Sequence, residues 1–300
     1  MLDYAQLSAL AAILRLGSFE AAAAELGVTQ SAVSQRLRTL EDRIGQPLVL
    51  RGQPCTGTEA GRRLARHAEE VGLMETALAD TIGGLPGGGR RPLRIAVNAD
   101  SLAGWLVPAL AAAQQAMPDL LFDIVVDDQD HSGDWLRRGE VSAAVTAQAA
   151  PPHGCNSHAL GALRYQATAS PAYLSRHFPE GVTADALRRA PMMTYDGKDG
   201  LQMAWLRREI GEGPRPPSHY LPSTQGFIDA ARAGLAWGMN PEVLIRDALA
   251  RGDLVPLIPD RPLDTPLFWQ VSRLVAPAIA PVTRAVRATA RDLLEPVVLS

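Results

Sequence analysis

Small polar and basic side chains lie together at the start of one predicted helix, over residues 30–44. They point away from an apolar stripe that runs from Val33 to Ile44 at helical spacing. Glutamine and arginine can bond base edges, and arginine and serine can bond phosphates. The candidates for contact with nucleic acid on this helix are Gln30, Ser31, Ser34, Gln35, Arg36 and Arg38.

The elements before this helix complete a helix–turn–helix pattern. Residues 19–26 are predicted to form a short helix capped by Ser18, Gly27 supplies the turn, and Thr29 can cap the following helix. A helix that enters the major groove needs small polar groups in its first turns, which this one has. Spacing alone leaves a second interpretation open, an ordinary amphipathic helix pair with a solvated face.

The charge distribution favours local contact with nucleic acid. The 300 residues have a formal net charge of −3, yet residues 30–66 hold seven arginines and three acids. A small basic segment on an acidic chain fits a local DNA contact. No run reaches the roughly 18 apolar residues of a membrane span, and Asp3 is the only charge before the first apolar run. We therefore predict a cytoplasmic protein without membrane contact.

Enzymatic and metal chemistry is not indicated. Cys55 and Cys155 stand outside any metal-ligand spacing, and no two of the six histidines are three or four residues apart on a helix. The sequence has no nucleophile elbow, no P-loop and no dinucleotide fingerprint after its predicted strands. We predict no catalytic residues, no metal ion and no cofactor.

A long helix is predicted over residues 58–82, followed by a glycine-rich hinge at residues 83–89. Its apolar residues repeat seven apart, which favours pairing with a second copy of the helix over an intramolecular core. The predicted dimerisation residues are Leu64, Val71, Met74, Leu78 and Ile82. Beyond the hinge, strands alternate with helices, which predicts an α/β domain with a mostly parallel sheet.

The N-terminal motif resembles the winged helix–turn–helix of LysR-type transcriptional regulators. The matching segments are Phe19-Glu-Ala-Ala-Ala-Ala-Glu-Leu26, Val28-Thr-Gln-Ser-Ala-Val-Ser-Gln-Arg-Leu37, Gly45-Gln-Pro-Leu-Val-Leu-Arg51 and Thr58-Glu-Ala-Gly61. The resemblance covers the whole chain. It implies an α/β fold class with an N-terminal winged helix–turn–helix, a long linker helix and a two-lobed, periplasmic-binding-protein-like effector domain. It also implies that Arg51 of the wing contacts DNA.

The resemblance implies three parts. These are a DNA-binding domain at residues 1–58, a linker/dimerisation helix and hinge at 59–89, and an effector-binding domain at 90–300. Lobe I of the effector domain is expected at about 90–162 and 268–300, and lobe II at about 163–267.

Three further segments look like the lysine- and arginine-responsive ArgP/LysG branch of this family: residues 97–106, 136–141 and 194–196. The branch implies an activator of a basic-amino-acid exporter gene that works with operator DNA, RNA polymerase and a lysine or arginine effector as a homodimer or homotetramer. Two alternatives remain open. One is a LysR-type regulator with another effector, and the other is a solute-binding module or nucleoid-type architectural protein without sequence-specific reading.

Polar residues at predicted strand ends are the candidate effector contacts. Ser101, at a helix start, can receive a ligand carboxylate or act as a helix cap only. Asp128 and Asp196 are favoured for the ligand cation by analogy with the branch. Trp105 and Tyr195 can each contact the ligand or pack in the core. The complete candidate set is Asn98, Asp100, Ser101, Trp105, Asp128, Thr146, Gln148, Tyr195, Asp196 and Thr224.

Overall fold

The computed structural model describes residues 2–82, 92–127, 132–213 and 215–297. Its N-terminal part has three helices, α1 (Tyr4–Leu16), α2 (Phe19–Leu26) and α3 (Gln30–Ile44). Two short antiparallel strands, β1 (Val49–Leu50) and β2 (Thr56–Gly57), form the wing. The linker helix, α4 (Glu59–Ile82), follows directly.

The helix–turn–helix follows from local sequence signals. As predicted, Ser18 and Thr29 cap α2 and α3, because each hydroxyl accepts a hydrogen bond from backbone N–H groups of the first turn. Gly27 ends α2 in the left-handed conformation, with φ of 64°. Val33 and Leu37 of α3 are buried in one core with residues of α1 and the wing. The apolar stripe therefore faces inward and leaves the polar side of α3 to solvent.

The C-terminal part is built from strands and helices that alternate along the chain. In order, its elements are β3 (Pro92–Val97), α5 (Ala99–Ser101), α6 (Val107–Ala116), β4 (Leu121–Val126), α7 (Ser132–Arg138), β5 (Ala143–Thr146), β6 (Cys155–Ala169), α8 (Pro171–His177), α9 (Ala184–Leu187), β7 (Met192–Thr194), α10 (Leu201–Glu209), β8 (Ser218–Tyr220), α11 (Thr224–Arg232), β9 (Gly238–Pro241), α12 (Glu242–Arg251), β10 (Val255–Pro256), β11 (Leu263–Ser272) and α13 (Ala280–Leu293). A π-helical segment, Leu102–Leu106, joins α5 to α6.

The sheet is mixed, so the prediction of a mostly parallel sheet is wrong. Its order is β10-β6-β11-β5-β3-β4, with β9 also paired to β6. Among the described strands of this sheet, β3 alone pairs in parallel, with β4 and β5, and a separate two-stranded sheet of β7 and β8 is also parallel. The cause is the long strand β6, which pairs antiparallel with β11 along ten residue pairs and extends the sheet to β9 and β10. The two long strands β6 and β11 thus lie side by side and antiparallel within this sheet.

The linker helix α4 contacts both parts of the chain. Leu64 is half-buried against the N-terminal core, and its role in dimerisation stays a prediction. Leu73 is buried in the C-terminal core. Met74 and Leu78 remain 38% and 52% exposed, Val71 is half-buried, and the side chain of Ile82 lies outside the described residues. Within the described chain, none of the helices is both long and apolar enough to cross a bilayer.

Candidate functional site

One candidate surface is the polar side of α3. Gln30, Ser31, Gln35 and Arg38 are exposed there, and Ser34 and Arg36 are half-buried. Thr29 both caps the helix and lies 2.9 Å, Oγ1 to Oγ, from Ser31. These side chains form one continuous polar face at the amino-terminal half of α3.

The wing places another basic side chain beside the helix–turn–helix. Arg51 is exposed at the end of β1, and its guanidinium carbon lies 5.6 Å from the centre of the Phe19 ring. A cation over an aromatic face is held in place by the ring quadrupole. Phe19 begins α2 directly after the Ser18 cap. The wing arginine is therefore fixed next to the first turn of α2.

A second candidate site is a cavity of about 170 Å³ in the C-terminal part. We call its two sides the first wall, formed by Asn98–Asp100 and Val126–Asp127, and the second wall, formed by the loop after β7 with α10, α11 and β9. Tyr165 of β6 lies between them. Carboxyl ends of parallel strands commonly form ligand clefts, and β3 and β4 end at this cavity.

The lining of the cavity is acidic. Asp100, Asp127, Asp196 and Asp199 line it, and among the described residues no lysine, arginine or histidine does. Several carboxylates that line one partly desolvated cleft attract a cationic ligand. Of these four, the sequence singled out Asp100 and Asp196. Asp128, favoured for the cation, lies outside the described residues.

Asp100 connects the two walls. The Tyr165 hydroxyl donates to Oδ2 of Asp100 at 2.8 Å, and the Thr224 hydroxyl donates to Oδ1 at 2.6 Å. Asp100 belongs to the first wall, whereas Thr224 begins α11 in the second wall. Two hydroxyl donors hold this carboxylate, whose two oxygens together offer about four acceptor positions.

The loop after β7 is held by its own carboxylates. Asp196 accepts from the backbone N–H groups of Lys198 and Asp199 at 2.7 and 3.1 Å. Asp199 accepts from the N–H of Tyr195 at 2.9 Å and from that of Leu201 at 3.0 Å. Asp199 was missed in the sequence, although the run Asp-Gly-Lys-Asp-Gly at residues 196–200 has the composition of such a turn.

The negative field of the cavity acts on Tyr195. Burial raises the pKa of Tyr195, and the charges of Asp100 and Asp196 raise it further. The phenol therefore stays protonated at neutral pH and can donate a hydrogen bond. Tyr195 lines the cavity and also packs beside the small apolar cluster behind the second wall. Both roles considered from the sequence are thus physically compatible.

The helix start at the first wall differs from the expectation for Ser101. Asn98 is the cap, because its Oδ1 accepts from the N–H of Ser101 at 3.3 Å. Ser101 lies within the first turn, fully buried, and its hydroxyl has no partner among the described residues. The interpretation of Ser101 as a cap is therefore wrong.

Four of the described candidates do not line the cavity: Ser101, Trp105, Thr146 and Gln148. Trp105 is fully buried in the large hydrophobic core, so helix-to-sheet packing accounts for it and we withdraw it as an effector contact. Thr146 and Gln148 are joined by a 3.2 Å bond from the Gln148 N–H to the Thr146 hydroxyl. Both lie near Gly133 of α7.

Sequence reasoning also missed cavity residues whose burial depends on the tertiary fold. Tyr165 is in the middle of a long strand, and Gln202 is in the first turn of α10. Asn240 lies in β9, which no pattern predicted. A polar residue within a strand or helix has no local signal that separates a solvated side chain from one that faces a cavity.

Two family profiles match the chain. The profile described as bacterial regulatory helix-turn-helix protein, lysR family, matches residues 4–62. The profile described as LysR substrate binding domain matches residues 86–292. Together they span both candidate sites, the polar face of α3 and the cavity.

Similar proteins agree with these profiles. The chain is 44% identical to the transcriptional regulator LysG of Mycobacterium tuberculosis over 292 residues, 97% of this chain and 95% of that protein. It is 41% identical to the regulator ArgP of Pseudomonas aeruginosa over 295 residues, 97% of each.

Solved structures show the same arrangement. The crystal structure of ArgP from Mycobacterium tuberculosis has a TM-score of 0.80 at 44% identity and covers 99% of this chain and 100% of that one. Full-length LysG from Corynebacterium glutamicum with bound effector Arg has a TM-score of 0.70 at 34% identity, with 98% and 100% coverage. Proteins of this family regulate transcription and are not enzymes. The chain belongs to the LysR family of DNA-binding, effector-responsive transcriptional regulators.

Proposed function

We propose that this regulator senses arginine or lysine in its C-terminal cavity and controls a gene for export of basic amino acids. The observation that carries the proposal is that four carboxylates and no basic side chain line the cavity, within the part of the chain that the structure describes. Such a lining favours a ligand with a surplus of positive charge. The LysG relative with bound arginine supports the same ligand class.

The two ends of a basic amino acid suit different parts of the site. Asn98 lines the cavity and caps the helix that begins there, and this helix start favours the ligand carboxylate because the helix dipole attracts anions. Ser101, fully buried in the first turn, stays a proposed contact from its position beside Asn98 alone. Asp100 and Asp196 favour the cationic groups, with Tyr195 and Thr224 beside them. We keep Asp128 as a proposed cation contact on the resemblance alone.

Titration of the purified protein with amino acids tests this function. We expect calorimetry to show saturable binding of arginine or lysine, with citrulline and norleucine weaker by about tenfold or more. The reason is that a hydrogen bond from a charged donor to a carboxylate contributes about 1.5–3 kcal/mol, which neutral side chains lose. Equal affinity for norleucine, or binding of an aromatic acid instead, would favour a LysR-type regulator with another effector.

The DNA-binding role of individual residues is a proposal of the same kind. The polar face of α3 would enter the major groove, with Ser18, Thr29 and Arg51 at its edges on the backbone. Met74 and Leu78, exposed on α4, would pair with a second copy in a homodimer or homotetramer. RNA polymerase would be the partner at the promoter, and binding to chromosomal DNA would place the protein in the cytoplasm. In this proposal residues 1–58 bind DNA, residues 59–89 form the linker and dimerisation segment, and residues 90–300 bind the effector.

Salt dependence of DNA binding tests the arginine assignments. Removing a phosphate contact lowers the number of released counterions, so Arg36→Gln and Arg38→Gln should each reduce the slope of log affinity against log salt by about one. The measurement is fluorescence anisotropy with DNA from the region upstream of the protein's own gene. Arg137→Gln, which changes an exposed arginine of α7, is the control and should leave the slope unchanged.

A footprint on the same DNA tests the alternative of a nucleoid-type architectural protein. Uniform weak protection along the DNA would favour that alternative over a sequence-specific regulator.

A further inference from the structure

The second wall of the cavity contains two buried amides whose oxygens are unpartnered. Gln202 is 1% exposed and Asn240 is 0% exposed, and both line the cavity. Neither Oε1 of Gln202 nor Oδ1 of Asn240 has a hydrogen-bond partner within the described residues. A buried acceptor without a donor costs about 1–3 kcal/mol of desolvation. Two such atoms in one cavity wall point to a ligand that supplies the donors.

The orientation of Asn240 leaves its oxygen as the available atom. Its Nδ2 donates to the Thr168 hydroxyl at 3.0 Å and to the carbonyl of Gly238 at 3.4 Å. The amide nitrogen is thereby engaged by β6 and by β9 itself. Gln202 lies on α10, which packs against β9. The two amide oxygens therefore belong to neighbouring elements of the same wall.

Depth separates these amides from the carboxylates. Asp100, Asp196 and Asp199 are half-buried, whereas both amides are almost completely buried. A guanidinium is planar, has five N–H donors and is more weakly hydrated than an ammonium, so it tolerates a deep site with several acceptors. Neutral amide oxygens can accept from it without adding a buried negative charge.

We propose that Gln202 and Asn240 accept hydrogen bonds from the side-chain nitrogens of the basic effector, and that Gln202 sets the preference for arginine over its neutral isostere citrulline. The inference rests on the proposed function, in which the ligand carboxylate lies at the first wall. From there the side chain extends to the second wall, where the amide oxygens lie. In citrulline an oxygen replaces one of the guanidinium nitrogens, so the ligand has one donor group fewer for the Gln202 oxygen.

Replacement of Gln202 by methionine tests this role, with calorimetry of arginine and citrulline as the measurement. Methionine keeps the length of the side chain and removes the acceptor. Gln202→Met should weaken arginine binding by about tenfold or more, which is the lower range for a hydrogen bond to a charged group. The ratio of the arginine affinity to the citrulline affinity should also become smaller in this variant. Its melting temperature without ligand should stay equal or rise, because an unpaired buried acceptor is removed.

Two further variants separate the acceptor from simple packing. Gln202→Glu keeps an oxygen acceptor in the same shape. The bound guanidinium compensates the added charge, so arginine affinity should stay within a few-fold of the wild type. Gln225→Met makes the same chemical change at an exposed glutamine of α11, whose amide donates to Asp229. This variant should leave the affinities for arginine and citrulline unchanged. A loss in Gln202→Glu as large as in Gln202→Met would overturn the inference.

The wild-type titration distinguishes the two levels of the proposal. If the wild type binds arginine and Gln202→Met binds it equally well, the acceptor role of Gln202 is wrong and the proposed function stands. If the wild type binds neither arginine nor lysine, the proposed function is wrong and this inference falls with it. A raised melting temperature together with lost arginine affinity in Gln202→Met supports the inference, since a structural defect would lower both.

Discussion

Gly61→Ala is expected to destabilise the N-terminal domain by about 3 kcal/mol and to lower DNA affinity at least tenfold. A Cβ at Gly61 would overlap the carbonyl oxygen of Leu48 and lie 2.9 Å from its carbonyl carbon. The same oxygen accepts from the N–H of Thr58 at 3.0 Å, so the wing and the start of α4 cannot separate without losing that bond. The helix propensity gained by alanine, about 1 kcal/mol, does not offset such overpacking.

Thermal unfolding and anisotropy with operator DNA measure this effect. Gly200→Ala is the matched control, because Gly200 has φ of −101° and a Cβ there meets nothing within 4 Å. We expect its melting curve and DNA affinity to match those of the wild type. Wild-type melting of Gly61→Ala would mean that the wing does not lie against α4 as described.

The helix–turn–helix could be predicted because its determinants are local. Ser18 and Thr29 cap helices within their own first turns, and Gly27 needs only its own left-handed conformation. The stripe from Val33 to Leu40 is buried as its spacing indicated. A sequence of about 30 residues thus contains the full set of signals for this element.

The cavity could be predicted only in part, because its walls come from distant segments. Asp100 and Thr224 were both candidates, but no pattern could show that their side chains meet across 124 positions of sequence. The sequence around Trp105 is the same whether its side chain covers a ligand or packs in the core, so the pattern could not distinguish the two roles. Asn240 lies in a strand whose existence depends on pairing with β6, a contact between distant residues.

The connection between the cavity and the linker helix was also beyond the sequence patterns. Asp127 of the first wall accepts from the indole N–H of Trp135 at 2.7 Å, which ties the wall to α7. Directly after α7, Gly139 has φ of 68°, and a Cβ there would overlap the Arg66 guanidinium of α4. Helix α7 therefore contacts the cavity wall through Trp135, and Gly139, directly after it, lies against Arg66 of the linker helix.

Asp100→Asn is expected to weaken arginine binding by about 1.5–3 kcal/mol, roughly 10- to 150-fold. The substitution removes a negative charge from the cavity. The hydroxyls of Tyr165 and Thr224 donate to the two carboxylate oxygens. In asparagine one of these oxygens is replaced by an amide nitrogen, which donates hydrogen bonds and does not accept them. One of these donors then loses its partner in a partly buried place. Calorimetry with arginine at constant ionic strength measures the loss.

Asp260→Asn separates this local effect from a change in net charge. Asp260 is exposed, does not line the cavity and has φ of 55°, a conformation that asparagine also tolerates. Both variants change the net charge by the same amount, so a loss from long-range attraction alone would be equal in the two. We expect arginine affinity to fall only in Asp100→Asn, because a contact charge acts at hydrogen-bond distance whereas a remote surface charge is screened by salt and solvent. Equal affinities in the two variants would remove Asp100 from the proposed site.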